Sequence, residues 1–218
     1  MQYIYAPGCA LMAYKPHLAD KLKTEVEKLY GPVQTMLTCC FSKPQLSPQE
    51  VTIITPCVTC VQSYSKLYPA NDIVFFLSRL AESTDFPFPD YGGVSMSIQD
   101  TCAARTQPDA LAAIRRLLER MNIRLEEPAR SGARSKCCGQ LLYGKASIDK
   151  VEQYMRGRAN EMPCQDVVVY CASCIMSMTV GGRRPRYILD LLYGESTTLK
   201  TSGVVDWNNT LREFRDSH

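Results

Sequence analysis

Eleven cysteines in a chain of 218 residues, beside only two histidines, make sulfur the atom most able to do chemistry in this protein. They stand at positions 9, 39, 40, 57, 60, 102, 137, 138, 164, 171 and 174. With Cys164 set aside, one order occurs twice: a lone cysteine, an adjacent pair, then Cys-x-x-Cys. In the first copy 29 residues separate Cys9 from Cys39-Cys40, and 16 more precede Cys57-Val58-Thr59-Cys60. In the second, 34 residues separate Cys102 from Cys137-Cys138, and 32 precede Cys171-Ala172-Ser173-Cys174. Ordered recurrence of this kind is the mark of an internal repeat.

Thiolates are soft ligands that favour zinc or iron–sulfur clusters. A tetrahedral zinc takes four ligands and a cubane cluster four thiolates, whereas each copy offers five. Neighbouring side chains diverge along an extended backbone, so an adjacent pair suits a polynuclear cluster better than a single ion. All-cysteine zinc sites remain an alternative. A disulfide scaffold is disfavoured by the odd count and by an N-terminal run that has no basic region and breaks at Pro7-Gly8, unlike a secretory leader. Vicinal disulfides would be strained, and thioredoxin-like use of either Cys-x-x-Cys would leave the adjacent pairs unexplained.

Composition sets the frame for this chemistry. Apolar residues at 45% and charged residues at 22% are ordinary globular values, and a formal charge of +3 does not indicate nucleic-acid binding. No apolar run approaches the length of a membrane span; stretches such as Asp166–Cys174 are strand-sized. A reduced, cytoplasmic protein is expected.

The elements that must carry the cysteines also repeat. Tyr3–Ala6 and Val94–Ile98 read as strands running into Cys9 and Cys102. An amphipathic helix is expected after each lone cysteine: about His17–Tyr30, with Leu18, Leu22, Val26 and Leu29 on one face, and about Gln107–Asn122, with Leu111, Ile114, Leu117, Leu118 and Met121. Thr106 and Asp109 have capping-box spacing for the second helix. Each Cys-x-x-Cys follows a β-branched strand, Val51–Thr55 or Val167–Tyr170. A further helix over Ser147–Met162 has no counterpart in Ser42–Glu50, which contains Pro44 and Pro48. Tyr187–Tyr193 reads as a short helix and Val205–Arg215, with Trp207 and Phe214, as a closing one. The pattern predicts an α/β protein of two pseudo-repeated cysteine-rich domains, residues 1–90 and 91–218, each a small, largely parallel sheet flanked by helices. The boundary falls in the breaker-rich run Phe86–Gly93.

Taken together, Cys9…Cys39-Cys40…Cys57-x-x-Cys60 and Cys102…Cys137-Cys138-Gly139…Cys171-x-x-Cys174 resemble the paired CCG domains found in the catalytic subunit of heterodisulfide reductase and in related lactate- and glycolate-oxidation proteins. The resemblance implies that each set of five cysteines ligates a noncubane [4Fe-4S] cluster, and that the cluster on Cys102, Cys137, Cys138, Cys171 and Cys174 is the catalytic one, reducing a small disulfide. It further implies an anaerobic setting and a redox partner, ferredoxin-like or a flavoprotein, because the chain has no compact ferredoxin run of its own. The first copy departs from the pattern, with Phe41 in place of the glycine and a short gap to Cys57. Cys9, Cys39, Cys40, Cys57 and Cys60 are therefore expected to hold a second cluster, a cluster of another type, or zinc. Alternatives to catalysis are non-catalytic electron transfer to a dehydrogenase and a zinc-stapled interaction module.

Two clusters, each held by five thiolates, would carry the formal charge from +3 to about −3. Arg105, Arg134, Lys136 and Lys145 flank the second set and are candidates to offset that charge or to hold an anionic thiol; a solvated basic face is the alternative. Gly139–Ala146 imitates a phosphate-binding loop but has Ala146 where a Ser or Thr belongs and follows no strand. Cys164 reads as a buried small apolar residue, His17 as a capping or surface residue, and Gly181–Arg186 as a solvated loop, with a docking surface or an anion site near Cys174 as the alternative.

Overall fold

The computed structural model describes residues 2–46 and 51–218. The first half runs β1 (Gln2–Tyr5), α1 (Cys9–Tyr14), α2 (Pro16–Tyr30), β2 (Gln34–Thr35), β3 (Val51–Thr55), α3 (Val58–Leu67), β4 (Asp72–Phe75) and α4 (Phe76–Ala81). The second runs β5 (Val94–Gln99), α5 (Pro108–Arg120), β6 (Ile123–Glu126), α6 (Ile148–Asn160), β7 (Asp166–Val169), α7 (Ala172–Val180), β8 (Arg184–Tyr187), α8 (Ile188–Leu192) and α9 (Val204–Ser217). Each half builds a four-stranded, wholly parallel sheet, in the order β2-β1-β3-β4 and β6-β5-β7-β8. This is the expected α/β architecture of two pseudo-repeated halves.

Central strands of parallel sheets are covered on both faces, so they read as unbroken apolar runs. Val51–Thr55 is buried at all five positions, and Val167, Val168 and Val169 have no exposure. Helix α2 buries Leu18, Leu22 and Val26, and α5 buries Ile114, Leu117 and Leu118. One apolar core takes side chains from both halves, from Leu22 to Trp207. Polar ties cross between the halves as well. Tyr14 Oη donates to the fully buried Asp190 at 2.6 Å, and Lys15 Nζ reaches the other oxygen of the same carboxylate at 2.5 Å. Within the second half, Trp207 Nε1 donates to Ser173 Oγ at 3.1 Å.

Several local expectations need correction. Leu29 is 57% exposed: it lies in the last turn of α2, beyond Val26, the last residue the helix buries. The capping box does not form. A 3-10 turn over Cys102–Thr106 draws Thr106 into helical geometry, so Gln107 becomes the N-cap, with Pro108 at the first position and no side-chain cap. Gly181–Arg186 is not a loop throughout: Arg184–Tyr187 is edge strand β8, where Pro185 costs no ladder bond. Cys164 is half-buried, its N–H donating to Ser97 Oγ. In the short segment after Cys39-Cys40, residues 43–46 form no helix, and residues 47–50 lie outside the described part.

Candidate metal centres

In an open parallel sheet the strand order reverses at one point, and the crevice at the carboxyl ends of the two strands flanking it is where ligands bind. Here that point lies between β1 and β3 in one sheet and between β5 and β7 in the other. Cys9 and Cys57 follow β1 and β3, and Cys102 and Cys171 follow β5 and β7. The second residue of each Cys-x-x-Cys, Cys60 or Cys174, sits in the first turn of the following helix. Each adjacent pair arrives on an irregular loop, Cys39-Cys40 after β2 and Cys137-Cys138 between β6 and α6.

The sulfurs of each copy form a row in the same order. Cys9 lies 3.6 Å from Cys39, which touches Cys40, which touches Cys60, which touches Cys57. In the second copy Cys102 touches Cys137, then Cys138, Cys174 and Cys171. Two glycines permit the close approach. Gly8, at φ +87°, brings the backbone so near that a Cβ would lie 3.3 Å from Cys60 Sγ. Gly139, at φ +108°, would put a Cβ 2.7 Å from Met155 Cγ.

Each row also receives a hydroxyl. Ser177 Oγ donates to Cys138 Sγ at 3.3 Å, and Ser63 makes the corresponding contact with Cys40. Ser63 and Ser177 both stand three residues after a Cys-x-x-Cys, a match the cysteine spacing alone did not bring out. Ser177→Ala is expected to cost about 1 kcal/mol of stability, the net worth of one hydrogen bond, measured as a shift of the urea midpoint.

The rows hold more thiol than they can ionise unaided. Cys39 is held far below the usual thiol range, at about 2, by contacts from Cys40 and Cys9, and Cys137 likewise, at about 2, by Cys102 and Cys138. Cys60 lowers Cys57, and Cys174 brings Cys171 to about 7. The others move the opposite way. Cys9 and Cys102 are pushed up by contact with Cys39 and Cys137, which also push Cys40 to about 11 and Cys138 to about 12. Contact with Cys40 raises Cys60, and contact with Cys138 raises Cys174. A cationic core is what would let all five thiols of a row deprotonate together.

The donor set fits a cluster of that kind: five sulfurs, supported by hydroxyls of Ser63, Ser177 and Thr101 and by backbone N–H groups. Among the described residues, no group of three or more Cys, His, Asp or Glu side chains is already arranged to hold a metal ion.

The two rows meet. Cys57 and Cys171 are close enough for the charge of one to raise the other, and both raise the buried Tyr187. Between them is a cavity of about 130 Å³ that both Cys-x-x-Cys turns help to wall. Leu211 and Arg215 of α9 form part of its wall, and the Arg215 charge also helps lower Cys39. Neither Arg215 nor Tyr187 was singled out by the sequence pattern. Both come from elements distant in the chain, and only the run of β8 into α8 could have pointed to Tyr187.

The flanking cations are placed differently from one another. Arg105 is exposed beside Cys102, its Nε donating to Ser135 O at 2.6 Å. Lys136 is paired with Glu161. Arg134 and Lys145 are exposed, and none of Lys136, Arg134 and Lys145 lines the cavity. His17 is at the surface, 2.8 Å from Glu195 Oε2.

The class this fold and site define is a parallel α/β protein with a row of thiols at the switch point of each sheet. The profile of the cysteine-rich CCG domain matches residues 96–179, a stretch that contains Cys102, Cys137, Cys138, Cys171 and Cys174. That stretch is similar to a CCG domain, and its clustered cysteines suggest metal or iron–sulfur binding. No curated protein matches the chain in sequence. No helix among the described residues is long and apolar enough to cross a membrane.

Proposed function

We propose that this protein is a cytoplasmic iron–sulfur oxidoreductase subunit of the heterodisulfide reductase type, reducing a disulfide or oxidising two thiols with electrons exchanged with a partner protein. In this reading residues 1–90 and 91–218 are two cysteine-rich domains. Cys102, Cys137, Cys138, Cys171 and Cys174 hold one noncubane [4Fe-4S] cluster, and Cys9, Cys39, Cys40, Cys57 and Cys60 hold a second. The observation that carries the reading is the meeting of two identically ordered sulfur rows at one cavity. A relay needs no cavity. This one, of about 130 Å³, is comparable with sites that admit a small organic molecule.

Such clusters supply one-electron chemistry at iron. Cleaving a disulfide takes two electrons and, at neutral pH, two protons, and yields two thiols. The chain contributes the enclosure: Leu211 and Ala172 exclude water, and the Arg215 guanidinium offsets negative charge at the sulfurs.

Anaerobic purification followed by iron, sulfide and zinc analysis, with an electron paramagnetic resonance spectrum of the same sample, tests the proposal. About eight irons per chain are expected, with a signal that changes when a thiol is added. Zinc alone would overturn it. Clusters indifferent to thiol would leave electron relay, and about four irons with one zinc would leave the second set as the sole redox centre.

A further inference from the structure

Of the large apolar side chains exposed among the described residues, Phe41 and Leu141 are the most exposed, at 64% and 58%. Each directly follows or closely trails an adjacent cysteine pair. Both line one open groove of about 530 Å³, whose floor includes Cys40 from one sulfur row and Cys102 from the other. Leu67 and Ala103 extend its apolar surface. Its charged lining is Lys43, Lys66 and Arg105, and no carboxylate among the described residues joins them. The groove is distinct from the enclosed cavity, with which it shares Cys40, Phe41 and Thr59.

We infer that this groove is the docking site of an acidic redox protein, which would exchange electrons with the metal centres proposed on the two sulfur rows where Cys40 and Cys102 reach the groove. An exposed apolar centre rimmed by charge of one sign is the anatomy of a protein contact, and redox encounters are small, weak and electrostatically steered. Charge complementarity selects the occupant: three cations without a carboxylate favour an acidic surface and repel a basic one. The nature of the partner rests on the proposed redox function, whereas the position of the groove does not.

The test is calorimetric binding of the holoprotein to an acidic plant-type ferredoxin, with a basic c-type cytochrome as control, at low and at physiological ionic strength. The ferredoxin is expected to bind more tightly at low salt. The Lys43→Glu, Lys66→Glu double variant is expected to weaken it at least about tenfold, and Leu141→Ser by about tenfold. All three positions have exposed side chains, so unchanged circular dichroism and metal content verify the fold. Binding that ignores salt or these substitutions would overturn the inference. So would substitutions that affect only uptake of a small anionic thiol, or only self-association of the chain. Because the readout is binding, a metal-free chain that still docks would sink the redox function and spare the groove. A cluster-bearing chain that fails to discriminate would do the reverse.

Discussion

Cys137→Ala is expected to remove the proposed second metal centre, lowering iron from about eight to about four per chain, and to reduce the proposed disulfide reduction by more than about 100-fold. Cys137 stands inside its row, touching Cys102 on one side and Cys138 on the other, and it is the thiol those contacts hold lowest. The Gly139 N–H also points to its sulfur, at 3.4 Å. Removing it separates Cys102 from the remaining three cysteines and deletes the thiolate formed most readily. Losing the outer partners of a metal ligand already costs 10–100-fold in metal affinity or activity, and losing the ligand itself must cost more. The first row shares no cysteine with the second, so its metal should stay. Iron analysis of the variant beside Cys39→Ala, the equivalent change in the first row, checks this. Retained activity with full iron in Cys137→Ala would refute the assignment.

Asp100→Ala is expected to destabilise the fold by about 3–5 kcal/mol, the usual cost of breaking a buried ion pair, lowering the melting temperature by about 10 °C. The carboxylate is fully buried two residues before Cys102. It accepts from both terminal nitrogens of Arg115, at 3.1 and 2.9 Å, from Tyr170 Oη at 2.8 Å and from Gly132 N at 2.6 Å. Tyr170 precedes Cys171, and Gly132 opens the segment that leads to Cys137-Cys138, so one side chain fastens all three cysteine-bearing segments of the second set. The first set has Pro7, which carries no carboxylate, at the corresponding place.

A pH dependence follows from the same site. Burial alone would raise the Asp100 carboxyl, but the Arg115 hydrogen bonds and charge outweigh it and hold the group below the ordinary carboxylate value. A carboxyl depressed in the folded state stabilises fully above its unfolded value of about 4, and that stabilisation is lost as pH falls through the folded value. The wild type should therefore lose stability more steeply than Asp100→Asn on acidification below about pH 4. Denaturant midpoints of the two proteins across that range would show it.

Much of this was legible in the chain because it is local. The four strands entering Cys9, Cys57, Cys102 and Cys171, and the helices α2, α5 and α6, follow from apolar spacing within a dozen residues. At the sheet edges α8 was legible within Tyr187–Tyr193, whereas β4, α4 and β8 were harder to read. The two strands have four residues each, and Pro185 with three arginines nearby imitates a solvated loop. Non-local partners were out of reach. Asp100 looks like one residue of a polar strand end until Arg115, Gly132 and Tyr170, 15 to 70 positions away, are brought onto it. Arg215 stands far from every cysteine in the chain and enters the cavity only because Trp207 seats α9 on Ser173.

That seating has a consequence for biosynthesis. All ten cysteines of the two rows precede α9, whereas Leu211 and Arg215 complete the cavity wall. A growing polypeptide therefore exposes its full complement of thiols before the last wall exists to cover them. Metal delivered in that interval meets a cradle open on the α9 side as well. Delivered later, it finds that side walled by a helix anchored by a buried tryptophan, and the groove over Cys40 and Cys102 is the open approach. The order of the chain makes α9 a wall added after every thiol of the two rows has been made.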